Sequence, residues 1–259
     1  MKKDLSFVPE SLQAFFKTNP KIALALSGGC DSAYLLYAAS VCGAQLGVYY
    51  VDSQFQPAFE LADARTLADE LGQKLRVLKL DVLADAQVKA NPKDRCYHCK
   101  QMIFGEILKA AHADGFTAVM DGTNASDDVS DRPGMKALEE MHVVSPLRLC
   151  GISKADVREL SRQAGLFTWN KPAYACLATR IPAGMEIEAP VLKKIEHAEA
   201  RLTELGFSGM RVRISERGAR LEMRESQMLR VLEKRKKIIA ALEADFSEIT
   251  LNLQPREEN

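Results

Sequence analysis

The sequence is short of several things at once, and each absence removes a class of function. Its 35 Lys and Arg are matched by 35 Asp and Glu, so no global positive field exists to gather DNA or RNA, and no nucleic-acid partner is expected. No apolar run reaches the roughly 18 to 20 residues of a membrane-spanning helix, which argues against a membrane partner. After two lysines the opening stretch MKKDLSFVPESLQAFF turns acidic and polar where a signal peptide would be apolar, so no secretory leader is expected. No repeat or low-complexity tract is visible. On these absences a cytoplasmic protein is expected, without a large nucleic-acid partner by default. The 6 cysteines (Cys30, Cys42, Cys96, Cys99, Cys150, Cys176) are then read as thiols, metal ligands or catalysts before structural disulfides.

What is present is an alternation of strands and helices. Lys21–Leu26 (KIALAL) reads as a buried strand, followed by a helix from Ser32 to Gly43. A strand to Asp52 comes next, then a helix over 57–71, a strand to Asp81, a helix over 99–113 and a strand to Asp121. This order predicts an α/β fold, a Rossmann-like domain with a parallel twisted sheet, over residues 1–175. Ser27, Asp52 and Asp121 fall at the carboxyl ends of strands, where ligands gather in such sheets. A second, small α+β domain with antiparallel pairing is expected over 176–259. Its elements are a helix over 190–205, the strands MRVRI and ARLEM around Gly218, a helix over 226–242 and a last strand; the tail PREEN is expected to fray.

Ser27-Gly28-Gly29-Cys30-Asp31-Ser32 lies between the first strand and the first helix of the sheet. Two glycines free the backbone N–H groups there, the helix dipole favours an anion, and Ser27 and Ser32 add hydroxyl donors, so the loop suits phosphate. It is not a Walker A loop, because the GxxxxGK lysine is missing. Asp31 would repel phosphate unless Mg²⁺ or a capping role occupies it. A bare Gly-Gly is more often a plain turn, but the complete SGGxDS string after an apolar strand resembles the PP-loop of the ATP pyrophosphatase family. That resemblance implies cleavage of ATP between its α and β phosphates and formation of an adenylate. It also implies ATP contacts from Ser27, Gly28, Gly29, Asp31 and Ser32. Asp52 and Ser53 look like the adenine-side element, and Gly122-Thr123-Asn124 with Asp127 or Asp128 looks like the GTNxxD loop of the same family.

Arg95-Cys96-Tyr97-His98-Cys99-Lys100 is a CxxC among basic residues, which favour thiolates. No second CxxC or HxxxH completes a zinc site, and no thioredoxin-like strand precedes the pair. An iron-sulfur site needs at least a third cysteine, and Cys176 in the loop over 168–184 is the candidate. Cys42 and Cys150 look like packing residues. RCYHCK, the DGTNxxD string followed by RPG, KPAxACLATRIPxG, and RVRI with ARLEM together resemble the LarE family of ATP-dependent sulfur transferases across nearly the whole chain. That resemblance implies adenylation of the carboxylates of pyridinium-3,5-biscarboxylic acid mononucleotide and their conversion to thiocarboxylates for the nickel-pincer cofactor of lactate racemase. One branch of the family sacrifices a single cysteine, and another has three cysteines expected to hold a 4Fe-4S cluster carrying sulfide. Cys96, Cys99 and Cys176 match the three-cysteine pattern and are the implied catalytic residues.

The resemblance further implies substrate anchoring by Arg180, Arg211 and Arg213, a metal contribution from Glu199 and Glu222, and a homo-oligomer. The plain reading of Arg211 and Arg213 is a strand face paired with Glu222. A tRNA-thiolating enzyme with a similar PP-loop and cysteine trio is the alternative, and it calls for a basic surface that the composition does not show.

Overall fold

A computed structural model of the chain describes residues 4–127 and 133–256. It divides into two compact units, the first made of Met1–Asp81 with Asp94–Lys171 and the second of Val82–Lys93 with Pro172–Asn259. The sequence places its boundary at 175/176; the structure changes unit between Lys171 and Pro172 and gives a short internal segment to the second unit.

The first unit is built on a four-stranded parallel sheet with the order β3-β2-β1-β4, where β1 is Lys21–Ala25, β2 Gln45–Asp52, β3 Leu75–Lys79 and β4 Val119–Met120. Parallel neighbours need crossovers, and helices supply them: α2 (Cys30–Val41) joins β1 to β2 and α3 (Ala58–Leu71) joins β2 to β3. The fold is therefore the expected α/β type. α2 is apolar almost all round, as a helix must be when it lies inside the core. Tyr34 and Tyr37 are completely buried within it, and each hydroxyl donates to a backbone carbonyl, of Phe7 at 2.9 Å and of Asp4 at 3.0 Å. β4 is only two residues long because Asp121 ends it, and Val144 bridges Met120 in parallel to widen that edge.

The remaining helices of this unit are α1 (Glu10–Thr18), α5 (Arg95–Ala113), α6 (Pro133–Glu140), α7 (Pro146–Leu149) and α8 (Lys154–Ala164), with α4 (Ala86–Lys89) lying in the second unit. α8 begins on a capping box, Ser153 accepting from the Asp156 N–H while Asp156 accepts from the Ser153 N–H. α5 starts at Arg95, so Cys96 and Cys99 lie inside its first turns and not ahead of a helix beginning at Cys99.

In the second unit α9 (Ala189–Glu204) packs on a three-stranded sheet of order β5-β6-β7: Arg211–Ser215, Gly218–Glu222 and Ile249–Leu251. β5 and β6 pair antiparallel, but β6 and β7 pair parallel, which corrects the all-antiparallel expectation. The cause is the helical crossover between them, which returns the chain to the end where β6 began. That crossover is not one helix over 226–242: it breaks at Lys234 (φ −92, ψ 8) into α10 (Met228–Glu233) and α11 (Arg235–Leu242). Leu202, Phe207, Val212, Leu221, Met223 and Leu242 form the core of this unit. Buried Asn91 ties in the internal segment, its amide donating to the carbonyls of Pro182 at 2.9 Å and Met185 at 3.2 Å. Glu257–Asn259 of the tail lie outside the described residues.

Candidate active site

The glycine loop follows β1 and runs into α2, whose N-cap is Gly29. Ser32 Oγ accepts the Ser27 N–H at 3.2 Å, lies 3.0 Å from Ser27 Oγ and donates to the Gly29 carbonyl at 3.2 Å. The two serines thus close the loop on itself. Gly28 has φ +76, and a β-carbon there would sit 2.5 Å from the backbone oxygen of Glu60, so both conformation and space demand glycine. Gly122 is a second close approach: a β-carbon on it would lie 2.8 Å from the Ser32 nitrogen. The Asp121–Asn124 segment is therefore laid directly against the first turn of α2.

That segment is held tightly. Asp121 is buried and accepts from Ser145 Oγ at 2.7 Å and Thr123 Oγ1 at 2.5 Å, and the Asn124 N–H donates to Asp127 at 2.9 Å. Asn124 Nδ2 donates to Asp31 at 3.3 Å. Asp31 is also paired with Lys154 of α8 at 2.5 Å. Lys154 thereby offsets the negative charge that the sequence leaves unexplained beside a phosphate loop. Ser27, Gly28, Gly29, Asp31, Ser32, Gly122, Thr123, Asn124 and Asp127 come together in this arrangement. Asp128 and Arg132 lie outside the described residues. Asp52 ends the neighbouring strand β2 and Ser53 follows it, buried and hydrogen-bonded to Gln56.

Cys96 and Cys99 are three apart on α5 and share a face. Cys96 is exposed and Cys99 buried. Arg95, itself buried, donates from Nη2 to Cys96 Sγ at 3.6 Å and stacks over the Phe55 ring at 5.4 Å from its centroid. A cavity of about 1030 Å³ is lined by Asp94, Tyr97, His98, Glu139, His142 and Arg148 among others, and by neither cysteine. Cys30, Cys42 and Cys150 belong to or pack against the core of this unit, and burial pushes all three thiols up. They stay protonated packing residues.

Cys176 lies in the second unit, just ahead of the 3-10 turn Leu177–Arg180. Its carbonyl accepts from the Thr179 N–H at 3.0 Å, Thr179 Oγ1 at 2.8 Å and Arg180 Nη1 at 3.3 Å. Arg180 Nη1 also donates to the Ala175 carbonyl at 2.7 Å, Arg211 Nη2 to the Ala173 carbonyl at 2.6 Å, and Arg213 Nη1 to the Thr179 carbonyl. Three arginines expected to bind substrate therefore hold the backbone around Cys176. Arg180 is completely buried and its donors are used within the second unit. Arg211 is 4% exposed and is likewise committed; burial, then the neighbouring charges of Arg180 and Arg256, bring its pKa down to about 10. Arg213, with a side chain 34% exposed, is the most open of the three.

The carboxylates are equally occupied. Glu199 accepts from Arg180 Nε at 2.9 Å and Nη2 at 3.0 Å, from Tyr174 OH at 2.6 Å and from the Val212 N–H at 3.0 Å. Burial weighs against charge on Arg180, but its bonds to Glu199 more than offset this and its pKa ends up raised. Burial, then the charge of Glu199, pushes the Tyr174 phenol well up, so Tyr174 remains a donor. Glu222 faces Arg213 at 2.7 Å, Arg220 at 3.1 Å and Arg256 at 3.9 Å. Glu199 and Glu222 are thus both partnered by guanidinium groups. Among the described residues no group of three or more His, Cys, Asp and Glu is placed to hold a metal ion. Cys96 and Cys99 offer two soft sulfur donors of the kind an iron-sulfur cluster takes. None of the cysteines forms a disulfide.

Sequence reasoning missed Lys154, Tyr174 and Ser145. Only Lys154 left a trace: a lysine in the first turn of a helix opposes the dipole and invites a search for its counter-charge.

No protein-family model matches the chain. It is 35% identical over 221 residues to an uncharacterized protein of Synechocystis sp., covering 85% of this chain and 82% of that one. It is 33% identical over 220 residues to the pyridinium-3,5-bisthiocarboxylic acid mononucleotide synthase of Lactiplantibacillus plantarum, covering 84% of this chain and 80% of that one. A tRNA-cytidine(32) 2-sulfurtransferase of Bdellovibrio bacteriovorus is 25% identical over 177 residues, 60% of this chain and 65% of that one. The parallel sheet, the glycine loop at the end of its first strand and these relatives define the class, an enzyme of the PP-loop sulfur-transferring kind. Within it, the chain belongs to the LarE family, that of the Lactiplantibacillus synthase. No helix among the described residues is long and apolar enough to cross a membrane.

Proposed function

We propose that this protein is a cytoplasmic, homo-oligomeric ATP-dependent sulfur transferase that converts the carboxylates of pyridinium-3,5-biscarboxylic acid mononucleotide to thiocarboxylates, releasing AMP and pyrophosphate, for the nickel-pincer nucleotide cofactor of lactate racemase. The observation that carries this reading is the 33% identity to a synthase of that bisthiocarboxylate over 84% of the chain. Its supports are the glycine loop and the three cysteines Cys96, Cys99 and Cys176.

The backbone N–H groups of Gly28, Gly29 and the first turn of α2 meet the triphosphate of Mg²⁺-bound ATP, with Ser27 and Ser32 as hydroxyl donors. Lys154 neutralises Asp31 and so lowers the repulsion that a triphosphate would meet there. Asp52 and Ser53 form the adenine side, and Gly122, Thr123, Asn124 and Asp127 complete the pocket. A substrate carboxylate oxygen attacks the α-phosphorus as the bond to pyrophosphate breaks. A sulfur nucleophile then forms the C–S bond as the C–O bond to AMP breaks. Arg213 is the arginine best exposed to receive the mononucleotide phosphate, while Arg180 and Arg211 keep Cys176 in place. Cys96, Cys99 and Cys176 would hold a 4Fe-4S cluster, whose open iron site would supply sulfide, from a free sulfide pool or another donor, as the nucleophile.

Anaerobically purified protein should be brown, and Cys176→Ala should remove the visible absorbance. A colourless protein that, after turnover, is lighter by about one sulfur and carries dehydroalanine at 176 would transfer the donor role to Cys176 itself.

A further inference from the structure

The glycine loop lacks the lysine of a Walker A motif, yet a lysine reaches it from far down the chain. Lys171 Nζ donates to the Gly28 carbonyl at 2.8 Å and to Asp63 of α3 at 2.5 Å, and it lies over the Phe59 ring at 5.0 Å from its centroid. Only 15% of its side chain is exposed. Its backbone is fixed as well. Arg158 of α8 donates to the carbonyls of Trp169 and Lys171, each at 3.1 Å, and the Lys171 N–H donates to the Thr168 carbonyl at 3.1 Å. Residues 168–171 thus form a short strap anchored on α8 that delivers one ammonium group to the loop.

The consequence follows from the planarity of the peptide bond. In a trans peptide the C=O and the next N–H point in opposite directions, so fixing the Gly28 carbonyl also fixes the Gly29 N–H. That N–H points to Ser27 Oγ, at 3.4 Å, and so toward the two serine hydroxyls. The positive φ of Gly28 needs such an outside hold, because glycine alone does not prefer it over its alternatives.

We propose that Lys171, aimed by Asp63, is a positioning residue of the nucleotide site: it sets the Gly28–Gly29 peptide so that the loop's N–H groups face the triphosphate. The inference rests on reading Ser27–Ser32 as the ATP loop. Calorimetric titration of ATP and of AMP into the full-length protein and into Lys171→Met, Lys171→Arg and Asp63→Asn tests it. Lys171→Met should weaken ATP binding by about tenfold or more, the size of a lost charge-assisted hydrogen bond. AMP, which lacks the β and γ phosphates, should bind within about twofold of the original affinity, and Lys171→Arg should recover part of the ATP affinity. Asp63→Asn should weaken ATP binding less than Lys171→Met. Unchanged ATP affinity in Lys171→Met overturns the inference alone, as does an equal loss for ATP and AMP, which marks a merely structural role. A wild-type protein that binds no ATP overturns the loop reading and the inference together.

Discussion

Glu199→Ala should destabilise the second unit by about 3–5 kcal/mol, read as a drop in the urea midpoint at unchanged slope. Its carboxylate accepts four hydrogen bonds, two from Arg180 and one each from Tyr174 and the Val212 N–H. Removing it leaves a completely buried guanidinium without a counter-charge, and an uncompensated buried ion costs far more than the net gain of an intact pair. The same loss should loosen the Cys176 segment, because Arg180 carries the tie from α9 to the Ala175 and Cys176 carbonyls. Glu199→Gln keeps one carbonyl oxygen and should fall between Ala and the original protein. A midpoint shift worth under about 1 kcal/mol for Glu199→Ala would show that Arg180 finds other partners and that the clamp on Cys176 does not depend on this carboxylate.

Gly28→Ala should cut AMP and pyrophosphate formation by about a hundredfold or more, the scale of losing preorganised backbone donors at a reacting phosphate. Two independent costs act on this residue. An L-residue at φ +76 pays roughly 1–2 kcal/mol for the left-handed region, and a methyl group 2.5 Å from the Glu60 oxygen must push backbone against backbone. Relief of that overlap turns the Gly28 peptide away from Lys171 and misdirects the Gly29 N–H. Gly29→Ala meets only Ser27 Oγ at 3.4 Å and has an ordinary φ, so it should be several-fold milder. Steady-state assays of the two alanine variants side by side check the ordering, and equal effects would remove Gly28 from its special role.

Much of the first unit was legible because its code is local. Strand runs such as KIALA, helices between them and the glycine loop at a strand end are written within a few residues of each other. α1 does not stand out in the sequence because its stretch is polar and acidic at its start, although Leu12 and Phe16 mark a buried face. The parallel pairing of β7 was missed because direction depends on the crossover, and periodicity is blind to it. At the site, residue types were legible and partners were not. The alternation of Arg211 and Arg213 gave a shared face, but nothing in a strand pattern says that the face meets backbone carbonyls of the Cys176 segment. Lys171 and Lys154 escaped for the same reason: each finds its acidic partner over 100 residues away in the chain, Asp63 at a separation of 108 and Asp31 at 123.

The central claim is the reaction. Anaerobic protein should be given ATP, Mg²⁺, sulfide and pyridinium-3,5-biscarboxylic acid mononucleotide, and the products followed by mass spectrometry. The account predicts a substrate heavier by the exchange of oxygen for sulfur, with AMP and pyrophosphate formed in step with each sulfur installed. An unchanged mononucleotide, or ATP cleaved to ADP and phosphate instead, would contradict it.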